Sequence, residues 1–113
     1  MRFRKPSLED KKRYIGFYIE SEERLGRKEV LNELWSTGLS FLGEAEMAET
    51  GFWVHDCFDD QLIVEVRDGY VDEILAVVSL VNEIKNERVR LDLLGVAGTI
   101  RKLKKSFILN QEK

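Results

Sequence analysis

Several residues from which enzymes build reactive sites are scarce in this chain of 113 residues. It has one cysteine, Cys57, one histidine, His55, and one proline. A single cysteine excludes an internal disulfide, and together with one histidine it cannot supply a zinc site of the usual composition. The sequence also lacks a P-loop, a dinucleotide fingerprint and a nucleophile elbow. These absences argue against most common enzyme classes.

Long apolar runs are absent as well. No stretch is long enough to cross a bilayer, and none has the pattern of a secretory signal. We therefore expect a cytoplasmic protein with no membrane partner. The length suits one domain with a core large enough to fold.

The remaining candidates for reactive or metal-binding groups lie around the predicted second strand. His55 and Cys57 would share a strand face, where neighbours two apart rarely come within hydrogen-bond reach as a nucleophile and base must. Asp56, Asp59 and Asp60 offer oxygen ligands for a hard cation, but acids in a hairpin more often form a solvated turn. We predict no catalytic residue and no metal ligand.

Charge is segregated along the chain, although the net charge is only −3. Residues 1–13 carry six Lys or Arg against two acids, and residues 99–113 carry five against one. Each end is thus +4, which leaves −11 for residues 14–98. Two basic ends flanking an acidic body favour a localised polyanion site over a general coating of nucleic acid. Alternatively, the basic ends are only solvated.

Hydrophobic periodicity divides the chain into six elements. Ile15, Phe17 and Ile19 alternate with other residues as in a strand with one buried face, whereas Leu31, Leu34 and later apolar residues recur at helical spacing. We predict strands at residues 12–20, 52–58, 61–67 and 88–94, and helices at residues 27–42 and 70–85.

Glycine and acidic residues separate these elements. Gly38 interrupts the first helix at a cost of roughly 1 kcal/mol, and Gly43 would end it. Residues 44–51 are predicted to be a charged connection, and Asp59 with Asp60 an acidic hairpin turn.

The order of these elements predicts a ferredoxin-like fold. This βαββαβ arrangement, shared with RNA-recognition motifs, is an α/β domain of the α+β kind with an antiparallel sheet, and here a helix is appended at the C-terminus. We expect a single domain over residues 1–113, with a basic N-terminal arm (1–11), the βαββαβ core (12–95), and a glycine turn with a basic C-terminal helix (96–109).

The segment LLGVAGTIRKLKK, residues 93–105, carries the clearest functional signal. Gly95 and Gly98 permit a tight turn, and Thr99 is a good N-cap for the helix that follows. A glycine turn leading into a cationic helix is typical of a phosphate-binding site. The alternative is an ordinary amphipathic helix with solvated lysines.

The sheet itself is a poor candidate for base stacking. RNA-recognition motifs stack bases on aromatics of their central strands, and the predicted third strand, QLIVEVR, has none. Tyr14 and Tyr18 are the only aromatic platform on the first strand. Trp35 and Trp53 are predicted to be anchors of the core or of a protein interface.

Three segments together resemble the small ferredoxin-like protein subunit of archaeal and eukaryotic ribonuclease P. They are DKKRYIGFYI at the start, the helix from Leu34-Trp35 to Phe41-Leu42-Gly43, and above all LGVAGTIRKLKKSFI, residues 94–108. The resemblance implies a noncatalytic subunit of the ribonucleoprotein that removes the 5′ leader from precursor tRNA. It also implies that the chemistry belongs to the RNA and its Mg²⁺ ions, with no cofactor bound by the protein.

The same resemblance implies partners and contact residues. The partners are ribonuclease P RNA and a TIM-barrel-like protein subunit, with two such pairs joining through a homodimer into a heterotetramer, and precursor tRNA is the substrate of the assembly. The implied RNA contacts are Lys11, Lys12, Arg13, Arg67, Gly98, Thr99, Arg101, Lys102, Lys104 and Lys105.

The chain departs from the family pattern in its third strand. Relatives often carry glycine and arginine where this strand reads LIVEV, and Glu65 would repel phosphate. These departures favour a protein partner for the sheet surface and leave RNA to the terminal motif.

Two other functions stay open on the residues alone. One is a ferredoxin-like regulatory domain that binds a small ligand at an oligomer interface. The other is a structural adaptor that holds a protein partner through Trp35, Trp53 and the exposed sheet face.

Overall fold

The computed structural model describes residues 11–58 and 60–108, which form a five-stranded antiparallel sheet with helices. The strands have the order β2-β3-β1-β5-β4 across the sheet. The predicted ferredoxin-like α+β fold is confirmed. The elements are β1 (Lys12–Ser21), α1 (Arg27–Leu42), α2 (Glu44–Glu49), β2 (Trp53–Phe58), β3 (Gln61–Arg67), α3 (Val71–Ser79), β4 (Glu83–Ile84), β5 (Glu87–Ala97) and α4 (Ile100–Leu103), which continues as a π-helical turn (Lys104–Ile108).

The main core lies between one face of the sheet and helices α1 and α3. Ile15, Phe17 and Ile19 alternate onto this face of β1, as the sequence predicts. Leu34 of α1 and Ile74 of α3 are fully buried against them. Packing of these apolar faces, more than local helix propensity, holds the helices in place.

Helix α2 corrects the prediction of a charged connection over residues 44–51. Gly43 ends α1 with a φ of +90°, and its N–H donates to the Leu39 carbonyl at 3.0 Å. The chain then turns back so that the buried Met47 of α2 packs on Gly38. A Cβ at position 38 would overlap the Met47 thioether. The glycine that weakens α1 is thus where α2 makes its closest approach.

The predicted second helix and fourth strand also differ from the structure. Helix α3 ends at Ser79, and the chain forms a β4–β5 hairpin whose central residues, Lys85 and Asn86, both have positive φ. Val81 and Ile84 are buried even so, which explains why a helical pattern appears to continue to residue 85.

Strand β5 is longer than predicted and runs to Ala97. It pairs with β1 through Gly95 and Ala97, with a register shift opposite Gly16 and Phe17. The predicted glycine turn therefore begins only at Gly98, because the preceding residues complete the sheet.

A second, smaller cluster lies on the opposite sheet face, which we call the open face. Leu103 of α4 and Ile63 of β3 are both fully buried there, with Tyr14, Leu94, Ala97 and Ile100 packed around them. Ile100 and Leu103 thus dock one face of the final helix on the sheet. The Phe107 side chain lies outside the described residues. None of the helices within residues 11–58 and 60–108 has the length and apolar character needed to span a membrane.

Candidate nucleic-acid interface

Thr99 caps α4 as the sequence predicts. Its backbone is extended, and its side-chain oxygen accepts a hydrogen bond from the Lys102 N–H at 3.0 Å. The Leu103 N–H donates to the Thr99 carbonyl at 3.1 Å. The cap starts the helix directly after β5, so the helix that carries the cationic side chains begins at a fixed position relative to the sheet.

Arg13 lies against the turn that precedes this cap. A Cβ on Gly98 would sit 3.2 Å from the Arg13 guanidinium, so glycine there leaves room for the arginine. The Arg13 Nε–H donates to Asp68 at 3.2 Å, and the Asp68 backbone N–H donates to the Lys11 carbonyl at 2.8 Å. Asp68 thus orients Arg13 towards the terminal motif.

An open depression joins the two basic segments of the chain. It has a volume of about 500 Å³ and is lined by Arg13, Val96, Ala97, Gly98, Lys102 and Ser106. Arg13 and Lys102 reach it from opposite ends of the sequence because β1 and β5 are neighbours in the sheet. A guanidinium, an ammonium and the backbone of a glycine turn around one depression form a suitable site for a phosphate group.

The remaining predicted cations adjoin these segments in the chain. Arg101 and Lys105 of the final helical segment are exposed, Lys104 is half-buried, and Lys11 is exposed immediately before β1. We use the name terminal basic surface for Lys11, Arg13, Arg101, Lys102, Lys104 and Lys105.

Lys12 points to the open face, where it is held by an acid. Its ammonium lies 2.8 Å from the Glu65 carboxylate, and the His55 Nε2–H donates to the other oxygen of that carboxylate at 2.5 Å. Burial alone would raise the pKa of Glu65, but the hydrogen bonds from Lys12 and His55 outweigh it and the pKa lies below its usual value. The hydrogen bond to Glu65 raises the pKa of Lys12. The negative charge expected to repel phosphate is therefore balanced within the protein.

Arg67 is the neighbour of Lys12 in the β1–β3 register. Its guanidinium lies 3.4 Å from the Glu49 carboxylate of α2, and its backbone N–H donates to the Thr50 carbonyl at 2.7 Å. Arg67 therefore links β3 to α2.

The two tryptophans predicted as interface anchors lie on different sides of the sheet. Trp35 projects from α1 and stacks on Phe52 with ring centroids 5.9 Å apart. Trp53 is the register partner of Glu65, which places it on the open face, and the Arg27 guanidinium covers its ring at 4.8 Å. The structure does not bring the two tryptophans into one patch.

Sequence patterns missed Asp68, His55 and Ser106 as neighbours of the basic residues. No local signal identifies Asp68, because its contact with Arg13 depends on the pairing of β1 with β3. His55 reaches Glu65 through a register irregularity between Val54 and Asp56. Its ring also lies 5.7 Å from that of Tyr14.

Of the acids in and beside the predicted hairpin turn, only Asp60 has a described side chain. Within residues 11–58 and 60–108, no group of three or more His, Cys, Asp or Glu side chains is placed to hold a metal ion. Asp59 and the side chains of Asp56 and Cys57 lie outside the described residues, as does the basic arm before residue 11.

Comparison with known proteins gives a consistent family. Residues 13–108 match the Rpp14/Pop5 family profile. Ribonuclease P protein component 2 of Pyrococcus furiosus is 33% identical over 106 residues, covering 91% of this chain and 88% of that protein. The component 2 proteins of Pyrococcus horikoshii (36% identical, 91% and 88% covered) and Methanothermobacter thermautotrophicus (28% identical, 100% and 98% covered) are also similar.

A solved structure has a similar fold. One chain in the cryo-EM structure of yeast ribonuclease MRP superposes with a TM-score of 0.65 at 12% identity, covering 96% of this chain and 95% of that one. At this identity the likeness concerns the fold alone.

Proposed function

Because the chain belongs to the Rpp14/Pop5 family of ribonuclease P protein subunits, we propose that it is a noncatalytic subunit that binds and stabilises the catalytic RNA. In this role it would support removal of the 5′ leader from precursor tRNA. The chemistry would belong to the RNA and its Mg²⁺ ions, and the protein would supply a rigid, positively charged surface.

The observation that carries this proposal is the meeting of Arg13 with Gly98 and Lys102. Two basic segments from opposite ends of the sequence line one open depression of about 500 Å³, which has room for a phosphate group, and Asp68 and Thr99 hold the two segments in place. Arginine and backbone N–H groups are the usual donors to RNA phosphates, and such contacts position a protein without reading sequence.

The same surface would let a noncatalytic subunit aid a catalytic RNA. Folding a compact RNA brings phosphates together, and cations on a rigid frame lower that repulsion. The chain would thereby reduce the Mg²⁺ concentration that the RNA needs. Arg67 and Lys12, each already paired with an acid, would contribute less than the exposed Lys102 and Lys105 of the terminal basic surface.

The remaining parts of the proposal concern the assembly. We propose a TIM-barrel-like subunit as the protein partner, with two such pairs joined through a homodimer of this chain. A cytoplasmic location remains a prediction from the sequence.

Reconstitution of precursor-tRNA cleavage tests this function. The cognate ribonuclease P RNA and the other protein subunits are assayed with and without this chain across a Mg²⁺ titration. We expect the chain to restore cleavage at low Mg²⁺. An unchanged titration in an otherwise competent mixture would contradict the proposal.

A matched pair of variants makes the assay specific for the depression. Lys102→Ala removes a cation that lines it, whereas Arg88→Ala removes an exposed cation at the other end of β5. We expect only the first variant to shift the titration to higher Mg²⁺. Equal shifts would indicate a general charge effect and not a defined phosphate site.

A further inference from the structure

The part of α1 that follows its first turn has very few charged residues. Glu33 is the only charged residue in positions 31–43, although charged residues make up 35% of the chain. Solvent-facing positions Asn32, Ser36 and Ser40 carry neutral polar groups. Depletion of charge from an exposed surface is the compositional mark of a protein interface centre.

Apolar side chains occupy the same part of the helix. Trp35 is 37% exposed and Leu39 36% exposed, and the half-buried Leu31 and Leu42 lie beside them at helical spacing. Trp35 is held by its stacking on Phe52. We call Leu31, Trp35, Leu39 and Leu42 the α1 patch. An aromatic ring fixed in place among partly exposed leucines is a typical anchor at an interface.

Acidic residues border this patch on one side. Helix α2 is fixed against α1 by the contact of Met47 with Gly38, and it exposes Glu44, Glu46 and Glu49. Glu49 interacts with Arg67. A surface that covers the α1 patch therefore meets carboxylates along the α2 edge.

We infer that the α1 patch docks a protein subunit of the ribonucleoprotein whose own surface has an apolar centre bordered by Lys or Arg along the α2 edge. This inference rests on the proposed function, and it assigns a face and a chemistry to the protein partner. RNA is a poor occupant, because the patch is apolar and the adjoining helix would repel phosphate. The terminal basic surface, by contrast, includes cations beside the second cluster on the open face.

A second copy of this chain is a poorer occupant than a different subunit. In a closed twofold dimer each patch meets only itself. The cations of α1 and α2 are Arg27, which covers the Trp53 ring, and the exposed Lys28. Of the exposed carboxylates of α2, Glu49 is paired with Arg67, so a symmetric contact offers Lys28 alone to balance Glu44 and Glu46. A basic-rimmed partner balances them.

The test measures association with the purified cognate TIM-barrel-like ribonuclease P subunit by isothermal titration calorimetry. Leu39→Ser should weaken association at least about tenfold, the scale of an interface hot spot. Leu93→Ser is the matched control, because Leu93 is 51% exposed and belongs to β5, outside α1 and α2. It should change the affinity by less than about twofold, as expected outside a hot spot.

A charge reversal tests the acidic edge separately. Glu46→Lys should weaken association, and the deficit should shrink as salt rises because exposed charges are screened. Leu39 and Glu46 are both exposed, so we expect the variants to keep their fold, which circular dichroism would check.

Several outcomes would overturn the inference. They are a wild-type chain that does not bind the subunit, a Leu39→Ser variant that binds as tightly as the wild type, and light scattering that shows wild-type self-association abolished by Leu39→Ser. Retention of ribonuclease P RNA on filters is measured in parallel for the wild type. Loss of RNA binding with subunit binding intact would reject the RNA-binding role and leave the α1 docking face standing.

Discussion

The ammonium of Lys12 lies 2.8 Å from the carboxylate of Glu65, and the two residues belong to neighbouring strands on the open face. Lys12 is 56% exposed at its side chain, whereas Glu65 is only 13% exposed. The pair makes Glu65 an internal competitor for any phosphate that approaches Lys12. It also gives two measurable consequences.

Removing the acid should strengthen RNA binding. In Glu65→Gln the side chain keeps its shape but releases Lys12 to contact phosphate, so we expect an affinity gain of a few-fold at low salt, since each phosphate contact adds to salt-dependent binding. Filter binding with ribonuclease P RNA measures it. The gain should vanish in the double variant Lys12→Ala/Glu65→Gln, and its persistence there would show that Lys12 is not the group released.

The same carboxylate should contribute to the pH dependence of folding. Its pKa in the folded protein lies below the ordinary value of 4.5, so its ion pairs stabilise the fold above pH 4.5 and this contribution is lost as pH falls through the lowered pKa. We expect Glu65→Gln to unfold more easily in urea than the wild type at pH 7. The difference should shrink as the pH falls below 4.5. A difference that grows on acidification would contradict the assigned ion pairs.

Gly38 should resist even the smallest side chain. A Cβ there overlaps the Met47 thioether, so Gly38→Ala should lower the free energy of unfolding by about 1–3 kcal/mol, the usual cost of overpacking, despite the better helix propensity of alanine. Chemical denaturation measures the loss. In a Met47→Ala background the same substitution should cost much less, and equal costs in both backgrounds would rule out this contact as the cause.

The exposed cations of the terminal basic surface should set the salt dependence of RNA binding. Replacing Lys102 and Lys105 with alanine should weaken binding and reduce the slope of log K against log salt by about 0.7–0.9 for each phosphate that the protein no longer neutralises. It should also raise the Mg²⁺ needed for cleavage. The thermal midpoint should stay near that of the wild type, since both side chains are exposed. An unchanged slope would place the RNA elsewhere.

Leu103 should anchor the C-terminal segment without supporting the main core. Leu103→Ala removes a buried side chain that packs with Ile63, so residues 100–108 should exchange amide hydrogens faster. Exchange in α1 and β3 should change little. Global loss of protection would show that the two clusters unfold together. Ile100→Val, a smaller change in the same cluster, should give an intermediate effect on the segment.

The sequence predicts the parts of the structure that depend on residues close together in the chain. The alternation in β1 predicts that Ile15 faces the helices and that Tyr14 faces the other side of the sheet. Thr99 caps α4 through a hydrogen bond to a residue only three positions later in the chain. These features depend on neighbours in the chain, which a single sequence displays directly.

The parts that the sequence does not predict depend on distant residues. Helix α2 forms in an acidic segment because the Met47 side chain packs against Gly38, where the absence of a Cβ leaves room for it. The sequence alone gives no sign that Lys12 is paired, because its partner Glu65 is brought beside it by the register of β1 and β3. The ion pair of Arg13 with Asp68 joins residues 55 positions apart, and no periodic pattern in the sequence predicts it.

The sheet carries a separate apolar cluster on each of its faces, with α1 and α3 on one side and α4 on the other. A substitution in one cluster reaches the other only through the shared strands, where side chains alternate between the faces. Under the proposed function, the side of the protein that binds RNA and the side that docks protein could therefore accumulate changes separately over evolutionary time. A lineage that acquires a new protein neighbour could then remodel α1 and α2 while the RNA-binding side is inherited unchanged.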